Sequence, residues 1–258
     1  MQKVRFIAGG ILTLAIAGCL VVGGHSLSQK AAKPSNTIST TTTSTANTTA
    51  TSFNKQQYSL TDPTSIWVIA NKTHPLNPKT YAPNLVVPTI PMRSNITGDE
   101  RQVGKVMAGP LETMVNAAAA QGIHLNLQSG YRSYSFQVSL YNTYVRQQGQ
   151  AAADTQSARP GYSEHQTGLA ADLGGTTSPA CNVAQCFDQT IEGKWLAANA
   201  YKYGFIIRYP ADKEGVTGYE YEPWHVRYVG VDLATEMHKQ GIETLEEFFG
   251  VSGGKVYK

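Results

Sequence analysis

The chain predicts an α+β domain in which a small, mainly antiparallel sheet is flanked by helices. Three observations lead there. Several segments repeat apolar residues every three or four positions, as amphipathic helices do. Others are short alternating or continuous apolar runs, as strands are. The order along the chain is helix, strand, helix, strand, helix, strand, strand, helix, and no internal repeat appears.

The folded part is preceded by two segments of different character. In residues 1–24, Lys3 and Arg5 precede an apolar run from Phe6 to about Gly24, the pattern of a signal or membrane anchor. Uncleaved, it would anchor the chain with its positive end inside. Ile16-Ala17-Gly18-Cys19 also resembles a lipobox, in which Cys19 would be lipidated after cleavage. Both readings place the rest outside the cytoplasmic membrane. Residues 25–57 are Ser/Thr-rich, with almost no charge and no apolar period. Such a segment buries too little to offset its ordering entropy, so it reads as a disordered linker. The domain proper is expected over 58–258.

Within that domain, Pro75, Pro78, Pro83, Pro88 and Pro91 forbid a long helix over 66–91 and predict an extended arm. Val103, Met107, Leu111, Met114, Val115 and Ala118 predict a helix over 99–121, stopped by Gly122, with Pro110 kinking or dividing it. Ile123, Leu125 and Leu127 alternate as in a strand. Ser133 can cap a helix over about 134–148. A strand ending in "ADLGG", a helix over about 190–203, the strands "FIIRY" and "WHVRYVG", and a helix over about 231–240 closed by Gly241 complete the order.

A net charge of +3 with 15% charged residues is too weak to argue for nucleic acid. It suits a mild attraction to anionic wall polymers. Cys181 and Cys186 bracket "NVAQ" and can close a disulfide, which an exported domain permits. A zinc knuckle would need a second cysteine pair.

The chemistry concentrates in "SEHQTGLAADL" (163–173) and "EPWH" (222–225). In a strand over 168–173, Leu169 and Leu173 turn to the core and Asp172 to the other face, among glycine and alanine. His165 precedes that strand on a turn near Gly168 and can fold back toward Asp172. An imidazole and a carboxylate are good zinc ligands in need of a third, and His225 is the candidate. Glu222, three residues before it beside Pro223, can approach the metal without binding it and act as general base. A lone His–Asp pair is more often a structural hydrogen bond, and a lone Glu-x-x-His is commonplace. The two motifs gain force together, because each supplies what the other lacks.

These residues carry a resemblance. "SGYRSYSFQ", "RPGYSEHQTGLAADL", "GKWLAANAYKYGFIIRYP" and "YEPWHVRYVG", with "VIANKTHPLNP" before them, resemble the VanY-type D-alanyl-D-alanine carboxypeptidases, zinc peptidases of bacterial cell walls related to LD-carboxypeptidases. The resemblance spans roughly 60–250. It implies the small zinc D-Ala-D-Ala-peptidase-like fold, one Zn²⁺ on His165, Asp172 and His225, Glu222 as catalytic base, and Arg132 meeting the substrate. Gln137, Ser163 and Trp224 are further candidates for the pocket wall. The expected substrate is a peptidoglycan stem peptide ending in D-alanine. An endopeptidase of wall cross-bridges and a non-catalytic wall-binding module are the rivals, and an intact Glu222 speaks against the second.

Overall fold

A computed structural model describes residues 53–258. The anchor expected at 1–24 and most of the linker lie outside them. The elements are β1 (Leu85–Val86), β2 (Val103–Gly104), α1 (Lys105–Ala119), β3 (Leu125–Ser129), α2 (Tyr134–Gln148), α3 (Gln150–Gln156), β4 (Ala170–Gly175), α4 (Ile191–Asn199), β5 (Phe205–Tyr209), α5 (Glu214–Thr217), β6 (Glu222–Tyr228), α6 (Val231–Gln240) and α7 (Leu245–Phe249). The main sheet runs β3-β4-β6-β5, antiparallel throughout. This is the predicted α+β class.

The sheet divides two cores. On one face Leu127, Ala171, Leu173 and Val226 meet Met107, Leu111 and Met114 of α1 and Leu196 of α4. Trp67 and Ile69 of the proline-rich arm pack with Ile206 of β5, Leu233 and Met237 of α6, and Leu245 and Phe248 of α7. The arm is therefore structural. Its lack of helix follows from its prolines, and its burial from Trp67 to Ala70.

Two details depart from the sequence reading of α1. The helix begins at Lys105, because Val103 and Gly104 pair with β1 and the Gly104 N–H donates to Gly168 O at 2.8 Å. Pro110 neither divides nor ends it. The carbonyl left without its helical partner belongs to the exposed Val106, where water can serve it.

The linker boundary also moves. Phe53 stacks on Trp67 with centroids 5.7 Å apart and meets Phe248 edge-on at 5.6 Å. Lys55 donates to the Phe248 carbonyl. Phe53 and Lys55, which composition assigns to the linker, thus contact the domain. A chain starting at Tyr58 is expected to be less stable than one starting at Phe53 by about 2 kcal/mol. That corresponds to roughly 4–8 °C in Tm. Equal melting temperatures would show that Phe53 contributes nothing.

Candidate active site

The site is built on strand register. Asp172 of β4 lies directly opposite His225 of β6, so both side chains leave the same face of the sheet. His165 arrives from the 3-10 turn Glu164–Thr167. Gly168 closes that turn at φ +71°, and a Cβ there would meet Gly104 N and Pro83 Cγ at 2.9 Å. Only glycine meets both demands. Gln166, on the same turn, donates to the arm carbonyls of Lys79 and Tyr81. The arm thereby clamps the segment that carries His165.

Both neighbours of this pair of strands are irregular. Leu127 pairs with Leu173 but Ser129 with Asp172, so two steps along β3 match one along β4. Ile207 pairs with Val226 but Tyr209 with Glu222, so two steps along β5 match four along β6. In a regular strand, residues three apart face opposite sides. The second irregularity, around Pro223, brings Glu222 Oε2 to 3.3 Å from His225 Nδ1. Glu222 thus belongs to β6, and the bulge re-aims its side chain as bulges beside active sites do.

The three candidate ligands converge. His165 Nε2 and His225 Nδ1 lie 3.4 and 3.3 Å from Asp172 Oδ1. One ligand atom from each of the three residues lies within 4.8 Å of the others. Two ligands about 2.0–2.1 Å from a tetrahedral zinc stand roughly 3.3–3.4 Å apart, so the spacing fits. Asp172 Oδ1 is buried without a hydrogen-bond partner, as an oxygen reserved for a cation would be. His165 Nδ1 lies 2.6 Å from Gly130 O, and donating there leaves the Nε2 lone pair facing the site. Burial, with Arg132 nearby, pushes the His165 pKa down to about 4, which keeps the imidazole neutral. Burial opposes ionisation of Asp172, yet the Arg132 guanidinium paired with it holds it well below the carboxylate range. His225 is buried as well, but the carboxylates of Asp172, Glu164 and Glu222 around it raise its pKa well above the usual range. Glu222 itself is pushed up by burial.

These groups open into a cleft of about 640 Å³ that also exposes Arg132, Ser163, Trp224 and Tyr209. Arg132 donates from Nε to Ser129 Oγ at 3.0 Å and from its NH2 to Asp172 Oδ2 at 2.5 Å. Ser163 and Trp224 line the cleft as expected. Gln137 does not. It sits one layer back, 1% exposed, donating to Ser157 Oγ at 3.1 Å and Ala158 O at 2.7 Å, and those two residues form the wall. Its hydrogen bonds to the segment packed on α2 hold it there. Cys181 and Cys186 form a disulfide with Cα atoms 5.3 Å apart.

With that geometry in place, the comparisons decide the kinship. The VanY family, described as D-alanyl-D-alanine carboxypeptidase, matches over residues 100–231. The chain belongs to the VanY family. Its relatives include YodJ of Bacillus subtilis (strain 168), 43% identical over 189 residues, which are 73% of this chain and 68% of that protein. Among solved structures, the LdcB LD-carboxypeptidase is 42% identical with a TM-score of 0.69, covering 74% of this chain and 89% of its own. A VanY D,D-pentapeptidase from a VanB-type resistance cassette, in complex with Zn(II), is 33% identical with a TM-score of 0.57, covering 70% and 97%.

One residue of this VanY-family site was overlooked in the sequence. Glu164 is fully buried behind His225. Its Oε1 accepts from Arg208 Nε at 2.7 Å and from an Arg227 NH1 at 2.6 Å. Its Oε2 faces His225 Nε2 at 3.7 Å, and neither atom has another partner. Arg208 continues to Glu246 of α7, which also accepts from Asn71 of the arm at 2.8 Å. The available signal was an arginine in each of two apolar strands, "FIIRY" and "HVRYV". A buried guanidinium needs a buried carboxylate.

Proposed function

We propose that this enzyme is an extracytoplasmic zinc carboxypeptidase that removes the C-terminal D-alanine from peptidoglycan stem peptides. The observation that carries the reading is the buried trio His165, Asp172 and His225, open to a cleft and accompanied by a carboxylate outside the ligand set. The trio would hold one Zn²⁺ per chain. Zinc in such a site supplies Lewis acidity, lowering the pKa of water and polarising a carbonyl. Glu222, with its raised proton affinity, takes a proton from the attacking water and delivers it to the departing D-alanine nitrogen. Arg132 is held by Ser129 and Asp172 and presents its guanidinium to the substrate, at the developing oxyanion or at the terminal carboxylate. Residues 1–24 would tether the enzyme to the outer face of the membrane, and the Ser/Thr-rich linker would give it reach. Among the described residues no helix is long and apolar enough to cross a membrane.

A specific observation favours a second substrate. The likeness to the LdcB LD-carboxypeptidase, at 42% identity and TM-score 0.69, exceeds that to the VanY pentapeptidase, at 33% and 0.57. Tetrapeptide stems are therefore tested beside pentapeptides. The purified domain is expected to bind one zinc, to lose hydrolysis on chelation, and to regain it with added Zn²⁺. Mass spectrometry of both stems identifies the preferred end. Full activity in a metal-free preparation would falsify the zinc assignment.

A further inference from the structure

The ring closed by Cys181 and Cys186 stands at the end of β4. Asn182 locks it to that strand. Its Oδ1 accepts the Gly175 N–H at 2.9 Å and its Nδ2 donates to Gly175 O at 3.1 Å. At Gly174 a Cβ would come within 2.6 Å of the Asn182 side chain, so glycine permits the close approach. The ring is thus tied to the strand that carries Asp172.

Val183 sits inside this ring at φ +54°. The left-handed region is unfavourable for an L-residue, and a β-branched residue is an outlier there. Core packing does not account for it, since Val183 is 46% exposed. Glycine or asparagine would adopt the same backbone more easily. Yet Val183 lines the catalytic cleft, whose other apolar lining includes Phe136 and Leu140. An unfavourable backbone that holds an apolar side chain at a cleft is the kind of strain found at ligand contacts.

We propose that Val183 is a specificity-determining residue, which packs on an alkyl portion of the peptide on the acyl side of the scissile bond. This rests on the carboxypeptidase reading above. The residue released is a single alanine, placed beside Glu222 and Arg132. Val183 stands outside the ligand trio in a cleft of about 640 Å³, far more than one alanine fills, so the longer acyl chain is the part of the substrate that extends along it.

Two variants test it. Val183→Gly removes the side chain and relieves the backbone. Val183→Thr keeps the branching and replaces a methyl with a hydroxyl. Zinc content, Tm, kcat and KM are measured on a stem pentapeptide and on acetyl-D-Ala-D-Ala. Val183→Gly is expected to bind zinc and melt no lower than the wild type. Its kcat/KM for the pentapeptide relative to the acetyl dipeptide should fall about tenfold, through KM. Val183→Thr should show the same shift, smaller, at about threefold. An unchanged ratio in Val183→Gly, with wild-type hydrolysis intact, overturns the inference alone. A lower Tm with equal losses on both peptides also overturns it, as a structural role. A wild-type protein that hydrolyses neither peptide overturns the D-Ala-D-Ala reading and this inference with it.

Discussion

Replacing Glu222 with glutamine is expected to lower kcat by about 10²–10⁴-fold while zinc stays bound. Glu222 lies 3.3 Å from His225 Nδ1 but outside the trio of ligand atoms. Glutamine preserves its shape and removes its ability to accept a proton. Folding and zinc content should therefore match the wild type, and trace hydrolysis should survive. His165→Ala and His225→Ala differ in kind, since each deletes a ligand. Both should lose zinc and activity together, and Asp172→Ala should follow with a milder loss. The measurement is zinc per chain and kcat on a stem pentapeptide for the four variants. If Glu222→Gln purifies without metal, Glu222 is a ligand. If it keeps metal and full kcat, the base lies elsewhere.

The second large effect concerns stability. Arg208→Met is expected to destabilise the domain by about 3–5 kcal/mol, because it strips buried carboxylates of their partner. Arg208 is 0% exposed and bridges Glu164 to Glu246. Burial works against ionised Glu164 and Glu246, but Arg208 outweighs it and holds both below their ordinary value of 4.5. With folded pKa values depressed, their contribution is present above the unfolded pKa and lost as pH falls. Wild-type stability should thus decline on acidification below about pH 4.5, whereas in Arg208→Met the decline should be shallower or reversed, because burial without that partner favours the protonated carboxyls in the folded state. The same change loosens the carboxylate facing His225, so zinc affinity should weaken about 10–100-fold. Urea denaturation across pH, with zinc titration alongside, reads all three effects. A midpoint equal to the wild type's would show that the ion cluster is energetically neutral.

Much of the architecture was legible because it is local. Ser133 does cap α2, accepting from Phe136 N at 3.3 Å, and that helix covers the expected residues. Gly241 closes α6 in the left-handed conformation, and the arm is as extended as its prolines require. The short helices α3, α5 and α7 were missed, since 7, 4 and 5 residues are too few to establish a period. Gln137 was misplaced because helical spacing gives a face, and only packing decides what that face meets. Glu164 was passed over because its partners lie in other strands.

What the sequence determined by itself was the inventory of the site: two histidines, an aspartate and a spare glutamate, in segments whose periodicity shows them to be a turn and strands. Those are properties of residue type and near-neighbour spacing. Only the tertiary structure decided that Asp172 stands opposite His225, that a bulge at Pro223 turns Glu222 to their side, and that Glu164 is locked behind the site by Arg208 and Arg227. Register is set by hydrogen bonds between strands far apart in the chain. The proton affinities depend on which charges share the same water-free volume. Neither exists until the chain has folded.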